Sequence, residues 1–202
     1  MSGERKLEIL KRETAFAGYF RVDRLTFRHT LHGGGWSRAL TREVFDRGHA
    51  VAVLPYDPVA DTVVLIEQVR AGALDDARGA WLVETIAGVI DAGEAPEDVA
   101  RREALEEAGC TVRDLEPVGD MLVSPGAVSE RVMVYVGRTD SAGLGGIHGL
   151  PEEGEDIRVM VTPFADAMAM IADGRLYVAH TVIALQWLAL NRERLCAAWR
   201  AG

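Results

Sequence analysis

The period of apolar and polar positions changes along the chain, and the changes predict its elements. Residues 50–57 (AVAVLPYD) and 61–70 (DTVVLIEQVR) are apolar, β-branched runs on either side of PVA. They predict two strands joined as a hairpin with Pro58 in the turn. Residues 13–48 read as short strands with a turn at the HGGG of 32–35, because glycine clusters punctuate regular structure. WLVETIAGVI (81–90) continues as strand. Spacing then changes to three and four. Ala100, Ala104, Leu105 and Ala108 fall opposite Glu103, Glu106 and Glu107 on a helical wheel, which predicts a helix that buries a small-residue face and turns its carboxylates outward. Pro96 suits its first turn, Glu97 and Asp98 its positive end, and Gly109 its C-terminal cap. Strands follow at about 115–124, 131–138 and 156–162, then helices at roughly 164–173 and 179–199. Strands, helix, strands, helices in that order predict an α+β fold or a layered α/β/α sandwich rather than a doubly wound parallel sheet.

The predicted helix gathers three glutamates whose charges repel, each like-charged neighbour costing a few tenths of a kcal/mol, ~0.2–0.5 in an isolated helix. Composition limits the reasons. With 202 residues the chain is one domain, with room for a small extra piece, and at 49% hydrophobic and 26% charged it fills a sizeable core. Its net charge of −9 argues against a nucleic-acid binder, which carries a basic face. An anionic substrate stays open, because bound cations reverse the local sign. The start, MSGERKLEILKRE, is too charged for a signal peptide, and VIALQWLAL is too short to cross a bilayer. Cys110 and Cys196 form neither a metal-ligand spacing nor a disulfide framework; a reducing, cytoplasmic setting is expected. Neither GxGxxG after a strand nor GxxxxGK[ST] occurs, so a nucleotide would be held in another way. Hard divalent cations such as Mg²⁺ take oxygen ligands, one or two carboxylates plus substrate phosphates. A helix presenting Glu103, Glu106 and Glu107 suits that chemistry.

The segment GVIDAGEAPEDVARREALEEAGC, from Gly88 to Cys110, resembles the Nudix box. Gly88, Glu94, Arg102, Glu103, Glu106, Glu107 and Gly109 occupy its fixed positions, while Ala104 and Cys110 stand at aliphatic ones as small hydrophobes. The resemblance implies a strand–loop–helix–loop unit in an α/β/α sandwich with a mixed sheet, and hydrolysis of a nucleoside diphosphate linked to a further group. It implies Glu103 and Glu107 as the main metal ligands, Glu106 assisting catalysis, and the carbonyl of Ala87 completing a site. Glu94 and Arg102 would brace the loop against the helix, a supporting role that orients ligands. Gly88 and Gly109 are backbone positions in the motif.

Beyond the box, REVFDRGHA (42–50), VVLIEQVRAGAL (63–74), SPG (124–126), IHGLPEEGEDIRV (147–159) and VIALQWL (182–188) resemble the bacterial ADP-ribose pyrophosphatases of this family, as does Pro125, sixteen residues beyond Gly109. That resemblance implies ADP-ribose as substrate, with AMP and ribose 5-phosphate as products; another nucleoside diphosphate sugar such as GDP-mannose is the alternative. It implies Mg²⁺ (or Mn²⁺), two or three ions per site, a general base at Glu153 and a further metal contact at Glu155. Arg70 and Arg42 would bind substrate, Arg42 reaching from a second subunit. Glu130 would meet the terminal ribose from the partner chain, and Tyr19 would stack on adenine. A homodimer is therefore expected, with residues 1–48 as a small N-terminal β segment that dimerises and adds to the partner's site, and 49–202 as the hydrolase domain. No nucleic-acid or membrane partner is expected.

Overall fold

A computed structural model describes residues 4–150 and 154–200, which divide into two compact units. The first comprises the chain up to His49 together with Leu122–Arg131. Its strands β1 (Leu7–Ala17), β2 (Arg21–His29) and β3 (Leu40–Asp46) form an antiparallel sheet in chain order. The first strand begins at Leu7, ahead of the expected residue 13, because its register runs on from Ala17↔Arg21 to Leu7↔His29. Alternating charges and apolar groups in LEILKRE had obscured it. On β2 the buried acid Asp23 takes Arg12 at 3.0 Å, Thr14 at 3.1 Å and Arg21 at 3.3 Å. Every residue of β1 is exposed, Leu7, Ile9 and Phe16 included.

The second unit comprises Ala50–Met121 and the chain from Val132. Its strands are β4 (His49–Asp57), β5 (Thr62–Val69), β6 (Trp81–Glu84), β7 (Ile86–Ile90), β8 (Arg113–Leu122), β9 (Arg131–Arg138), β10 (Gly146–His148) and β11 (Ile157–Pro163). They make one mixed sheet in the order β10-β11-β5-β4-β9-β8, with β6 on β5 and β7 on β4. The β4–β9 pair is parallel; β4–β5 and β5–β11 are antiparallel. One face carries Val51, Val53, Val64, Ile66 and Ile86 against α1 (Pro96–Ala108). The other carries Ala52, Leu54, Tyr56, Val63 and Leu65 against α2 (Phe164–Ala172) and α3 (Ala179–Trp199). Helices on both faces explain why β4 and β5 are apolar at nearly every position instead of alternating. The fold is the α+β, α/β/α sandwich expected from the sequence.

Two local expectations are corrected. The run 81–90 is two strands, because Thr85 interrupts it: its N–H donates to Thr181 Oγ1 at 2.9 Å and its hydroxyl to the Val53 carbonyl. The chain there passes from pairing with β5 to pairing with β4. The short strand β10, added to β11 through Gly146↔Val159, was missed; three residues are too few to show a period. Among the described residues no helix is long and apolar enough to cross a membrane.

Candidate active site

Helix α1 is set by its ends. Pro96 begins it after Ala95 in an extended conformation, with Glu97 and Asp98 in the first turn. Gly109, at φ 60°, ends it, and the N–H groups of Gly109 and Cys110 return to Leu105 and Ala104 at 2.9 Å each, a glycine-dependent cap. Ala100, Ala104 and Ala108 are fully buried against the sheet, so the backbone of α1 lies close to it. The turn of the helix then grades the glutamates. At 100° per residue Glu107 stands only about 60° from Ala104, Glu103 about 100° and Glu106 about 160°. Their exposure follows the same order, 3% for Glu107, with the Glu103 side chain at 14% and that of Glu106 at 34%.

This corrects the expectation that the carboxylates face outward together: Glu107 enters the protein. Leu105, expected on the buried face, is 60% exposed, because it lies about 100° from Ala104 on the side away from Glu107. Strand β7 meets these acids. The Ala87 N–H donates to Glu107 Oε2 at 3.3 Å. The Glu103 carboxylate fills the space that a Cβ on Gly88 would need. Arg102 pairs with Glu103 at 2.9 Å, Glu106 at 3.1 Å and Glu94 at 3.7 Å, and Glu94 accepts the Asp91 N–H at 3.0 Å.

Burial pushes the Glu107 carboxyl up to about 8, with Glu103 and Glu155 adding repulsion and the Ala87 N–H and Arg70 opposing it. Burial likewise raises Glu103, with Arg102 opposing and Glu106 and Glu155 adding to the rise. Glu155, from the segment before β11, thus lies within electrostatic reach of both. Its carboxylate accepts the Leu150 N–H at 3.0 Å. Among the described residues no three acidic or histidine side chains already converge on one point. The acids instead stand near one another as mutually repelling charges, partly desolvated. A divalent cation turns that repulsion into attraction, so the donor set fits one. Arg70, directly after β5, brings the opposite charge within electrostatic reach of Glu107; its Nε donates to Glu84 at 2.6 Å.

Tyr19 (94% exposed), Arg42 and Glu130 are part of the first unit. Tyr19 sits edge-on to Phe20, ring centroids 4.7 Å apart. Arg42, on β3, donates to the Thr41 carbonyl at 2.8 Å, and buried Glu130 pairs with Arg47 at 3.1 Å. Glu153 lies outside the described residues. Glu84 was passed over in the sequence. Its signal was a lone acid in an apolar run, WLVETI, where a carboxylate needs a partner.

The family model described as "NUDIX domain" matches residues 46–180. The ADP-ribose pyrophosphatase of Escherichia coli (strain K12) is 48% identical over 197 residues, covering 98% of this chain and 94% of that protein. The GDP-mannose pyrophosphatase of Yersinia enterocolitica is more distant, 32% identical over 194 residues, 92% of this chain and 96% of that protein. A solved structure described as an ADP compounds hydrolase superposes with a TM-score of 0.70 at 26% identity, covering 96% of each chain. The fold, the spacing of the glutamates on α1 and the extent of these matches agree: the chain belongs to the Nudix family.

Proposed function

We propose that this chain hydrolyses the pyrophosphate bond of ADP-ribose to AMP and ribose 5-phosphate, using divalent ions, Mg²⁺ or Mn²⁺, at the acidic edge of α1. The observation that carries the reading is the grouping of Glu103, Glu107 and Glu155, repelling one another beside the Arg70 guanidinium. A pyrophosphate complexed with divalent metal needs such an edge, carboxylates for the ions and a cation for the phosphate oxygens. The near full-length likeness to an ADP-ribose pyrophosphatase favours ADP-ribose over GDP-mannose.

Glu103 and Glu107, with the Ala87 carbonyl and Glu155, would hold two or three ions. When bound, these would neutralise the pyrophosphate and polarise its phosphorus–oxygen bonds. Gly88 lets the Glu103 carboxylate lie against the strand, and Arg102 restrains Glu103 and Glu106 from the side, with Glu94 on the loop. Arg70 offers its fork to phosphate oxygens. Glu153 takes the proton of the attacking water, while Glu106, more exposed and tied to Arg102, assists from the outer face.

In the same reading, Arg42, Glu130 and Tyr19 meet the substrate in a homodimer built with the N-terminal segment, and the enzyme works in the cytoplasm. Support for a partner comes from β1. An eleven-residue strand exposed at every position, with Leu7, Ile9, Leu10 and Phe16 uncovered, leaves apolar area that a second chain would bury.

The test is a panel of nucleoside diphosphate derivatives assayed by phosphatase-coupled phosphate release, with Mg²⁺ and with EDTA. ADP-ribose should show the highest kcat/KM, and EDTA should abolish turnover. A preference of about tenfold or more for GDP-mannose would overturn the substrate while leaving the family intact.

A further inference from the structure

Arg70 is held by an acid that comes from the next strand. Glu84 closes β6, is 2% exposed, and sets Oε1 at 2.6 Å from Arg70 Nε. Strand β6 lies on β5 with Glu84 opposite Ile66. Side-chain alternation continued along 66, 68 and 70 therefore brings Glu84, Gln68 and Arg70 to one face. The pair is lopsided: the acid is sunk in the protein, while the Arg70 side chain keeps 40% of its surface. Among the described residues Arg70 makes no other side-chain hydrogen bond, so within that set neither Nη group is engaged.

A buried carboxylate is costly unless a cation answers it. For Glu84 burial raises the carboxyl above its ordinary value, and Arg70, then Gln68, oppose the rise. A mere counter-ion for Arg70 could sit at the surface. An acid locked in the interior does something a surface acid cannot, fixing the direction in which the guanidinium fork points. Two further groups lie within electrostatic reach of Arg70: Glu107, and His180, which its own burial and then Arg70 keep neutral.

We infer that Glu84 is a positioning residue, which grips Arg70 by Nε so that its two Nη groups are presented to the pyrophosphate beside Glu107. This rests on the proposed role of Arg70 in holding phosphate oxygens. Glu84 itself touches neither substrate nor metal. It acts by removing the freedom of a long side chain before the substrate arrives, so that the fork is in place as charge shifts during the reaction.

A double-mutant cycle tests it. Wild type, Glu84→Gln, Arg70→Ala and the double variant are compared for kcat and KM on ADP-ribose with saturating Mg²⁺, and for melting temperature. Glu84→Gln should lower kcat/KM by about 10–100-fold, the scale of a misplaced contact. In the Arg70→Ala background the same change should cost less than about twofold, because residues acting as one unit are not additive. Equal losses in both backgrounds would overturn the inference, since a purely structural acid lowers activity whether or not Arg70 is present. Near wild-type kinetics for Glu84→Gln beside a damaged Arg70→Ala would overturn it as well. An unaffected Arg70→Ala would instead remove the phosphate role of Arg70, and the role of Glu84 with it. Should Glu84→Gln not fold, Glu84→Asp, which keeps the charge and shortens the reach, replaces it in the cycle with the same outcomes.

Discussion

The Glu103 carboxylate lies against the backbone of Gly88, in the space a side chain at position 88 would occupy. The glycine is required by this close approach between a strand residue and a helix residue fifteen apart in sequence. The obstructing atoms are the tip of a flexible side chain, so Gly88→Ala should leave the fold intact and push Glu103 aside. Melting temperature should change little, while kcat/KM falls by about 10²-fold, the cost of roughly 1 Å of misplacement. Mg²⁺ titrations of activity should move to higher concentration. Unchanged Mg²⁺ dependence would mean Glu103 is not a ligand.

Glu107 predicts a pH dependence with a definite sign. Its carboxyl ordinarily ionises near 4.5, and in the folded chain it is pushed up to about 8. Between those values the folded state binds a proton that the unfolded state has lost. The associated stability is fully present below pH 4.5 and is lost as pH rises through 8, on the order of 5 kcal/mol at most. In EDTA, wild type should therefore melt progressively lower from pH 5.5 to 9, and Glu107→Gln should flatten the slope. The same substitution should lower kcat at least about 10²-fold, as loss of a transition-state electrostatic contact does. Calorimetry of Mg²⁺ binding at pH 7, in buffers of different ionisation heat, should show release of about one proton that the variant lacks. An identical proton count in both would place the metal elsewhere.

Glu153→Gln keeps size and hydrogen bonding but cannot accept a proton at neutral pH. It should lower kcat by about 10²–10⁴-fold and leave KM within a few-fold. The acid limb of the wild-type pH profile should vanish with it. Glu152 and Glu155 carry the same group nearby and belong in the same series. If Glu153→Gln retains more than about a third of wild-type kcat, far short of the expected factor, the base lies at Glu155 or Glu106.

The exposed strand β1 and Arg42 give the test of assembly. Ile9→Lys should yield monomers by light scattering, since a charge replaces an apolar group on the uncovered strand. Arg42→Ala should keep the dimer and raise KM by about tenfold, as for loss of a charged contact to substrate. A monomer with full activity would remove the shared site.

The sequence by itself determined most secondary elements of the second unit and the spacing of the acids. Apolar runs long enough to be strands, a proline at the start of α1 and a glycine at its end are local instructions, read over a few residues. Gly88, Glu103, Glu106 and Glu107 likewise sit at separations that a strand, a turn and a helix convert directly into neighbourhood. Local patterns misjudged what depends on partners far along the chain. Thr85 breaks a continuous apolar run because Thr181, 96 residues away, takes its N–H.

Only the tertiary structure decided how deep each acid lies. A helical wheel gives angles between side chains, and the sheet packed on Ala100, Ala104 and Ala108 sets which angle is inside. That packing buries Glu107, leaves Leu105 in water, and brings Glu155 within reach from a segment some fifty residues later. The pairing of Arg70 with Glu84 depends in the same way on β6 lying against β5, a register that no single stretch of sequence contains. Burial and partnership are properties of surfaces that meet, and those surfaces come from segments whose closeness exists only after the chain has folded.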